Sequence, residues 1–172
     1  MKKIVLLIVI LIFLTGCSSL AIFNLSDFTI PDDELFIMTI DNLKTPEEIC
    51  RYMADNFEYE EHPDITLSPY QLYLIKKGDC NDYMTFSIFI ADYHEYETYY
   101  VLITFANERY KHSIAVYKEN KYSFSDYEMY FLPKYDTFLE IVEYDCFLRR
   151  EKWTEYIVYD YDNGLIEKGS NN

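Results

Sequence analysis

The spacing of apolar residues switches from a helical to an alternating pattern near residue 97, and that switch decides the fold class. Before it the pattern is helical. Ile49, Tyr52, Met53 and Phe57 recur at intervals of three and four, which places them on one face of a helix. The start signals agree: Thr45 caps, Pro46 suits the first helical position, and Glu47 and Glu48 meet the positive end of the dipole. A short pattern over residues 70–75 stops at Gly78. A second helix is expected from about Asn81 to Tyr93, capped by Asp79, with Asp82 in its first turn. Its apolar face is Met84, Ile88, Phe89 and Ala91. Beyond the change the period is two. Residues 99–105, 112–118 and 122–126 read as strands, joined by turns at 106–108 and 119–121. A helix over residues 136–146, with Leu139, Val142 and Cys146 on one face, and a strand over 153–159 complete the order. Helices first and an antiparallel meander afterwards predict an α+β domain.

The chain has 172 residues, enough for one domain with a real core. Its formal charge of −15 would be repelled by nucleic acid or an anionic membrane surface, so no nucleic-acid partner is expected. The 19 tyrosines invite a stacking surface for sugar or peptide. As β-favouring amphipathic residues, they are expected instead to fill strand faces.

The N-terminus has a different logic. Lys2 and Lys3 precede an apolar run over residues 4–14, about 17 Å of helix against a hydrocarbon core of roughly 30 Å. Leu14-Thr15-Gly16-Cys17 then resembles the bacterial lipobox. The resemblance implies a signal peptide at 1–16, cleaved after Gly16, and a diacylglyceryl group on Cys17. The other reading is an uncleaved anchor. Either way the soluble part is expected to be tethered at the extracytoplasmic face of a bacterial cell membrane. Residues 17–44 read as lipidated cysteine and tether, with one short strand over 35–40. The domain proper is expected over 45–166, and a tail over 167–172.

With Cys17 assigned to lipid, Cys50, Cys80 and Cys146 remain, an odd number outside the cell. Cys50 and Cys146 lie in apolar patterns that suit buried thiols as well as a disulfide. Cys80 differs, because Gly78 and Asp79 put it at a helix start. That position favours a thiolate and leaves the Cys80 backbone N–H free to donate to an oxyanion. Alternatively, it is an inert cysteine at a helix end. A nucleophile needs a base. His94 lies about 21 Å along the same helix, too far. His62, in a loop with Pro63 and Asp64, has nothing visible to fix it. His112 opens a strand and shares a face with Ile114 and Val116. If the hairpin loop is residues 118–120, Tyr117 pairs with Lys121 and His112 sits directly opposite Asp126, close enough for the carboxylate to orient the imidazole.

The segments Gly78-Asp79-Cys80-Asn81-Asp82, Lys111-His112-Ser113 and Tyr122-Ser123-Phe124-Ser125-Asp126 resemble the core of the transglutaminase-like superfamily. The resemblance covers roughly residues 45–130, including Asn56-Phe57-Glu58-Tyr59 and Ser68-Pro69-Tyr70-Gln71. It implies a papain-like α+β fold with Cys80 as nucleophile, His112 as general base and Asp126 as orienter. It departs from the family at Ser113-Ile114, where many members have a tryptophan. Gln71 and Tyr70 are candidates for a second oxyanion donor. The implied function is attack on a peptide or amide bond through a thioester, more hydrolytic than crosslinking, with a protein or peptide substrate and no cofactor. A non-catalytic peptide-binding or scaffold lipoprotein on the same fold is the alternative. The run Asp160-Tyr161-Asp162-Asn163-Gly164 has its glycine one place early for a calcium loop and reads as a turn.

Overall fold

The computed structural model describes residues 23–62, 65–106 and 111–171. The signal segment, Cys17, Pro63-Asp64 and all but Ala106 of the 106–108 turn lie outside these residues. After a single 3-10 turn, Leu25–Asp27, the chain forms α1 (Glu34–Asn42), α2 (Pro46–Asn56), β1 (Glu58–Tyr59), α3 (Pro69–Ile75), β2 (Lys77–Gly78) and α4 (Cys80–Tyr93). Then follow β3 (Glu97–Phe105), β4 (Lys111–Lys118), β5 (Tyr122–Asp126), β6 (Met129–Tyr135), α5 (Phe138–Arg149), β7 (Trp153–Asp160) and β8 (Leu165–Ser170). The fold is α+β, as the change of period requires.

Six strands form one antiparallel sheet in the order β6-β5-β4-β3-β7-β8. Alternate residues of its central strands point to opposite faces, and both faces are covered. Tyr100, Ala115 and Tyr117 join a core built from α1 to α4, including Phe36, Ile40, Ile49, Met53, Leu72 and Phe86. Val101, Ile103, Ile114, Val116 and Phe124 join a second core with Phe138, Ile141, Val142 and Cys146 of α5. The sheet is the middle of three layers. Cys50 belongs to the first core and Cys146 to the second, on opposite faces, and both are free thiols. That rules out the Cys50–Cys146 disulfide.

Several sequence expectations need correction. Residues 35–40 are helical, not extended. Asp33 caps α1 by accepting from Leu35 N and Phe36 N, at 2.9 and 3.1 Å, and Phe36 and Ile40, one turn apart, are fully buried. The segment read as tether therefore contributes to the core. β6 was not foreseen, because Pro133 and a mostly exposed pattern mask it; Pro is tolerated there because β6 is an edge strand. The buried stripe of α5 is Phe138, Ile141, Val142, Asp145 and Cys146, while Leu139 is exposed. Thr137 caps that helix, accepting from Glu140 N, and so sets the stripe one residue earlier than Leu139. Residues 167–170, read as tail, belong to β8 and pair with β7. The 160–164 run is a turn, with Asp160 Oδ1 accepting from Asp162 N and Gly164 N.

Candidate active site

Cys80 is the first residue of α4, and the sequence around it builds that start. Asp79 accepts from Asn81 N at 2.9 Å, and Asp82 accepts from Asp79 N at 2.8 Å, a reciprocal capping box. Asp82 does more than its place in the first turn predicts. It is 1% exposed. Its Oδ1 accepts from Leu67 N at 2.7 Å and its Oδ2 contacts His62 Nε2 at 2.5 Å. One carboxylate thus ties the preceding loop to the helix start. Gly78 makes room for it: a Cβ there would lie 2.7 Å from Asp82 Oδ2. Burial and then the charge of Asp82 push the Asp79 carboxyl up. Burial pulls the His62 imidazole down, but its hydrogen bond to Asp82 and that carboxylate's charge outweigh it. His62 is therefore fixed, against Asp82. His94 is fixed elsewhere, with Nε2 donating to Ile40 O at 2.8 Å.

His112 and Asp126 meet as the sequence predicts, by a different register. β4 and β5 pair Lys118↔Tyr122, Val116↔Phe124 and Ala115↔Ser125, leaving residues 119–121 as the loop. The slip from the expected pairing is two residues. A two-residue slip keeps every side chain on its face, so His112 meets Asp126 diagonally, beyond the last paired position. His112 Nε2 lies 2.9 Å from Asp126 Oδ1, and both residues are 3% exposed. An ionised carboxylate only accepts, so Nε2–H donates to it. A hydrogen bond between Cys80 and the same ring also favours the protonated imidazole. A further bond ties the neighbours of these two residues together: the Ser113 hydroxyl donates to Asn81 Oδ1. This bond ties the start of α4 to β4.

Burial works against the charged imidazole, yet the Asp126 and Cys80 hydrogen bonds and the Asp126 charge outweigh it and push His112 up to about 9. Asp126 is held below the usual carboxylate range. Burial opposes this, but the His112 hydrogen bond and charge, joined by Arg149, prevail. The ring is accordingly an imidazolium at neutral pH. Its folded pKa exceeds the unfolded value of about 6.5, so its stabilisation is full below that value and is lost as pH rises through 9. We expect the urea midpoint to fall between pH 6.5 and 9, and the fall to be smaller in His112→Gln. Titrated urea melts of both proteins check this.

Residues 1–18 match the model of a prokaryotic membrane lipoprotein lipid attachment site. The chain is a lipid-anchored, membrane-associated protein. No curated protein sequence matches it. Solved structures similar to it include Legionella pneumophila LapG in its calcium-bound form, at 18% identity and a TM-score of 0.44. That alignment covers 54% of this chain and 61% of the LapG chain. A second LapG structure aligns at 16% identity over 68% of each chain, with a TM-score of 0.47. The EGTA-treated form aligns at 16% identity over 68% of this chain and 67% of LapG, with a TM-score of 0.48. Among the described residues no helix is long and apolar enough to cross a membrane.

Four features beside Cys80, His112 and Asp126 are not evident from the sequence. Tyr127, in the turn after Asp126, has φ 51°, a left-handed conformation unusual for a bulky residue. Its ring centroid lies 5.3 Å from His112 and 5.0 Å from Tyr59. Asp145 and Arg149, from the far layer, reach Asp126 and His112. The Asn81–Ser113 bond is the fourth feature. Of these only Asp145 left a trace in the sequence, as an acid on the apolar stripe of α5. Tyr70 and Gln71, the candidate oxyanion donors, are engaged elsewhere: Tyr70 donates to Asp33 Oδ2, and Gln71 Oε1 accepts from Ser68 N. Two groups of metal-ligating type have their ligand atoms within 4.8 Å: His62, Asp79 and Asp82, and His112, Asp126 and Asp145. In the first, Asp82 is occupied by two N–H donors and His62. In the second, the Arg149 guanidinium already supplies the positive charge.

Proposed function

We propose that this protein is a transglutaminase-like cysteine enzyme, lipid-anchored at the extracytoplasmic face of a bacterial membrane, that attacks peptide or amide carbonyls through a thioester. The observation that carries this reading is the buried His112–Asp126 pair, with Cys80, at a helix N-terminus, in hydrogen-bonding reach of the same ring. In the mechanism the resting pair is a Cys80 thiolate and a His112 imidazolium. The thiolate adds to the carbonyl carbon, and the oxyanion accepts from the Cys80 backbone N–H. Collapse breaks the C–N bond, and His112 gives its proton to the departing amine, leaving a thioester and a neutral imidazole. Water then adds to the thioester while His112 takes its proton. The second collapse expels the thiolate and releases the carboxylic acid. Asp126 holds the ring tautomer throughout. An amine in place of water would give a new amide; the hydrolytic course is the one proposed. Protein or peptide is the substrate class.

Peptide libraries incubated with wild type and Cys80→Ala and read by mass spectrometry test the reading. The expected products are shorter peptides, or amides hydrolysed to acids, seen only with wild type. Identical spectra from the two proteins would overturn it.

A further inference from the structure

α5 lies outside the segment that carries the family resemblance, yet it delivers two charged side chains to His112 and Asp126. Asp145 is fully buried and sits on the apolar stripe of the helix. Arg149, one turn on, is the last residue of α5, and Arg150 follows it in a left-handed cap with φ 59°. Arg149 Nε donates to Asp145 Oδ2 at 3.1 Å and approaches Oδ1 at 3.3 Å. Its Nη2 donates to Asp126 Oδ2 and lies 2.7 Å from His112 Nε2. The guanidinium centre stands 5.5 Å from the Tyr127 ring. One rigid fork spans two carboxylates and touches the imidazole.

The contact with His112 Nε2 has two assignments. If Nε2 were bare, it would accept from Arg149, but Asp126 Oδ1 would then face a lone pair 2.9 Å away. If Nε2 carries its proton, both donors converge on Asp126, one on each oxygen, and every group except that N···N approach is satisfied. The second assignment needs Asp126 ionised. Without a cation, two carboxylates whose ligand oxygens lie within 4.8 Å of each other in a buried pocket would not both stay charged. Burial and the Asp126 charge in fact push Asp145 up to about 6.

Building on the proposed function, we infer that Arg149, anchored by Asp145, is a positioning residue that holds the Asp126 carboxylate in place and so fixes the His112 tautomer. It also limits how basic His112 becomes, since its charge opposes that of Asp126. The titratable and charged groups facing His112 are Asp126 from β5, Asp145 and Arg149 from α5, Cys80 from α4, and Tyr127 from the β5–β6 turn. Removing a cation raises the pKa of every neighbour, and removing an anion lowers it.

The test uses the full-length chain in detergent, reading His112 by NMR titration and Cys80 by iodoacetamide alkylation across pH. Arg149→Met is expected to raise the His112 midpoint by about one unit and to move the acid limb of alkylation up by a similar amount. Asp145→Asn is expected to move the His112 midpoint down. Arg149→Lys keeps the charge but reaches only one carboxylate, so the midpoint stays and the plateau rate falls about tenfold. Opposite shifts from Arg149→Met and Asp145→Asn cannot come from loosened packing alone. Unchanged midpoints, or shifts of the same sign, would overturn the inference. If Arg149→Met does not fold, Asp145→Asn and Arg149→Lys decide it. A wild-type Cys80 that alkylates like a peptide thiol would count against the proposed function, and the His112 titrations would still decide the role of Arg149.

Discussion

His112→Ala is expected to slow Cys80 alkylation at neutral pH by a factor of about a hundred or more. Two effects add in that substitution. Under the proposed mechanism, the attacking thiolate would lose its imidazolium partner and be left with Asp79 and Asp82 beside it at the helix start. Those acids cap α4 and favour the helix, but they oppose a negative sulfur at the same place. The helix dipole alone is worth only about 1 kcal/mol at such a site, too little to offset two neighbouring carboxylates. In the proposed mechanism activation would rest on His112, and the substitution should be far more damaging than at a cysteine in neutral surroundings. Asp126→Asn should give a smaller loss, because the ring keeps a hydrogen-bond partner but loses the charge that favours the imidazolium. Cys50 and Cys146 serve as internal controls, since burial pushes each thiol up to about 12. Neither should react in the folded chain, whichever variant is labelled.

The largest effect on stability is expected at Asp82. Asp82→Ala strands the Leu67 and Asp79 N–H groups and the His62 ring in a buried place. The expected cost is about 3 kcal/mol, read as a lower urea midpoint with an unchanged slope. Asp82→Asn should cost less, because an amide oxygen still accepts from one N–H. Because Asp82 ties the loop before α3 to the start of α4, the alanine variant should also displace the backbone of Cys80. A loss of alkylation rate at denaturant concentrations where the chain is still folded would report that displacement separately from unfolding.

The fold class was legible because the apolar pattern switches from a helical to an alternating period near residue 97. α2 and α4 were legible because Thr45 and Asp79 announce their starts. What the sequence hides has physical causes. Strands covered on both faces, as in Thr98–Phe105 with seven of its eight residues buried, leave no polar side to read. The α1 segment carries apolar residues at Leu35, Phe36, Ile37 and Ile40, which suit either period; its cap at Asp33 decides the matter, and three consecutive acids disguise that cap. At the site, Cys80, His112 and Asp126 could be proposed because each sits near the end of an element with a strong signal. The register could not be fixed, since loops of 118–120 and 119–121 are equally polar. The meeting survives the error because the slip is even. Arg149 could not be foreseen, because nothing local says that the helix covering the sheet face opposite α4 ends beside Asp126.

The central claim, that Cys80 is held as a thiolate by His112, is tested most directly by alkylating the folded wild-type protein across pH and identifying the labelled cysteine by mass spectrometry. The account predicts rapid labelling of Cys80 well below the pH at which a peptide thiol reacts, with that acid-side reactivity absent in His112→Ala. A Cys80 profile that coincides with the peptide thiol, unchanged by His112→Ala, would contradict it.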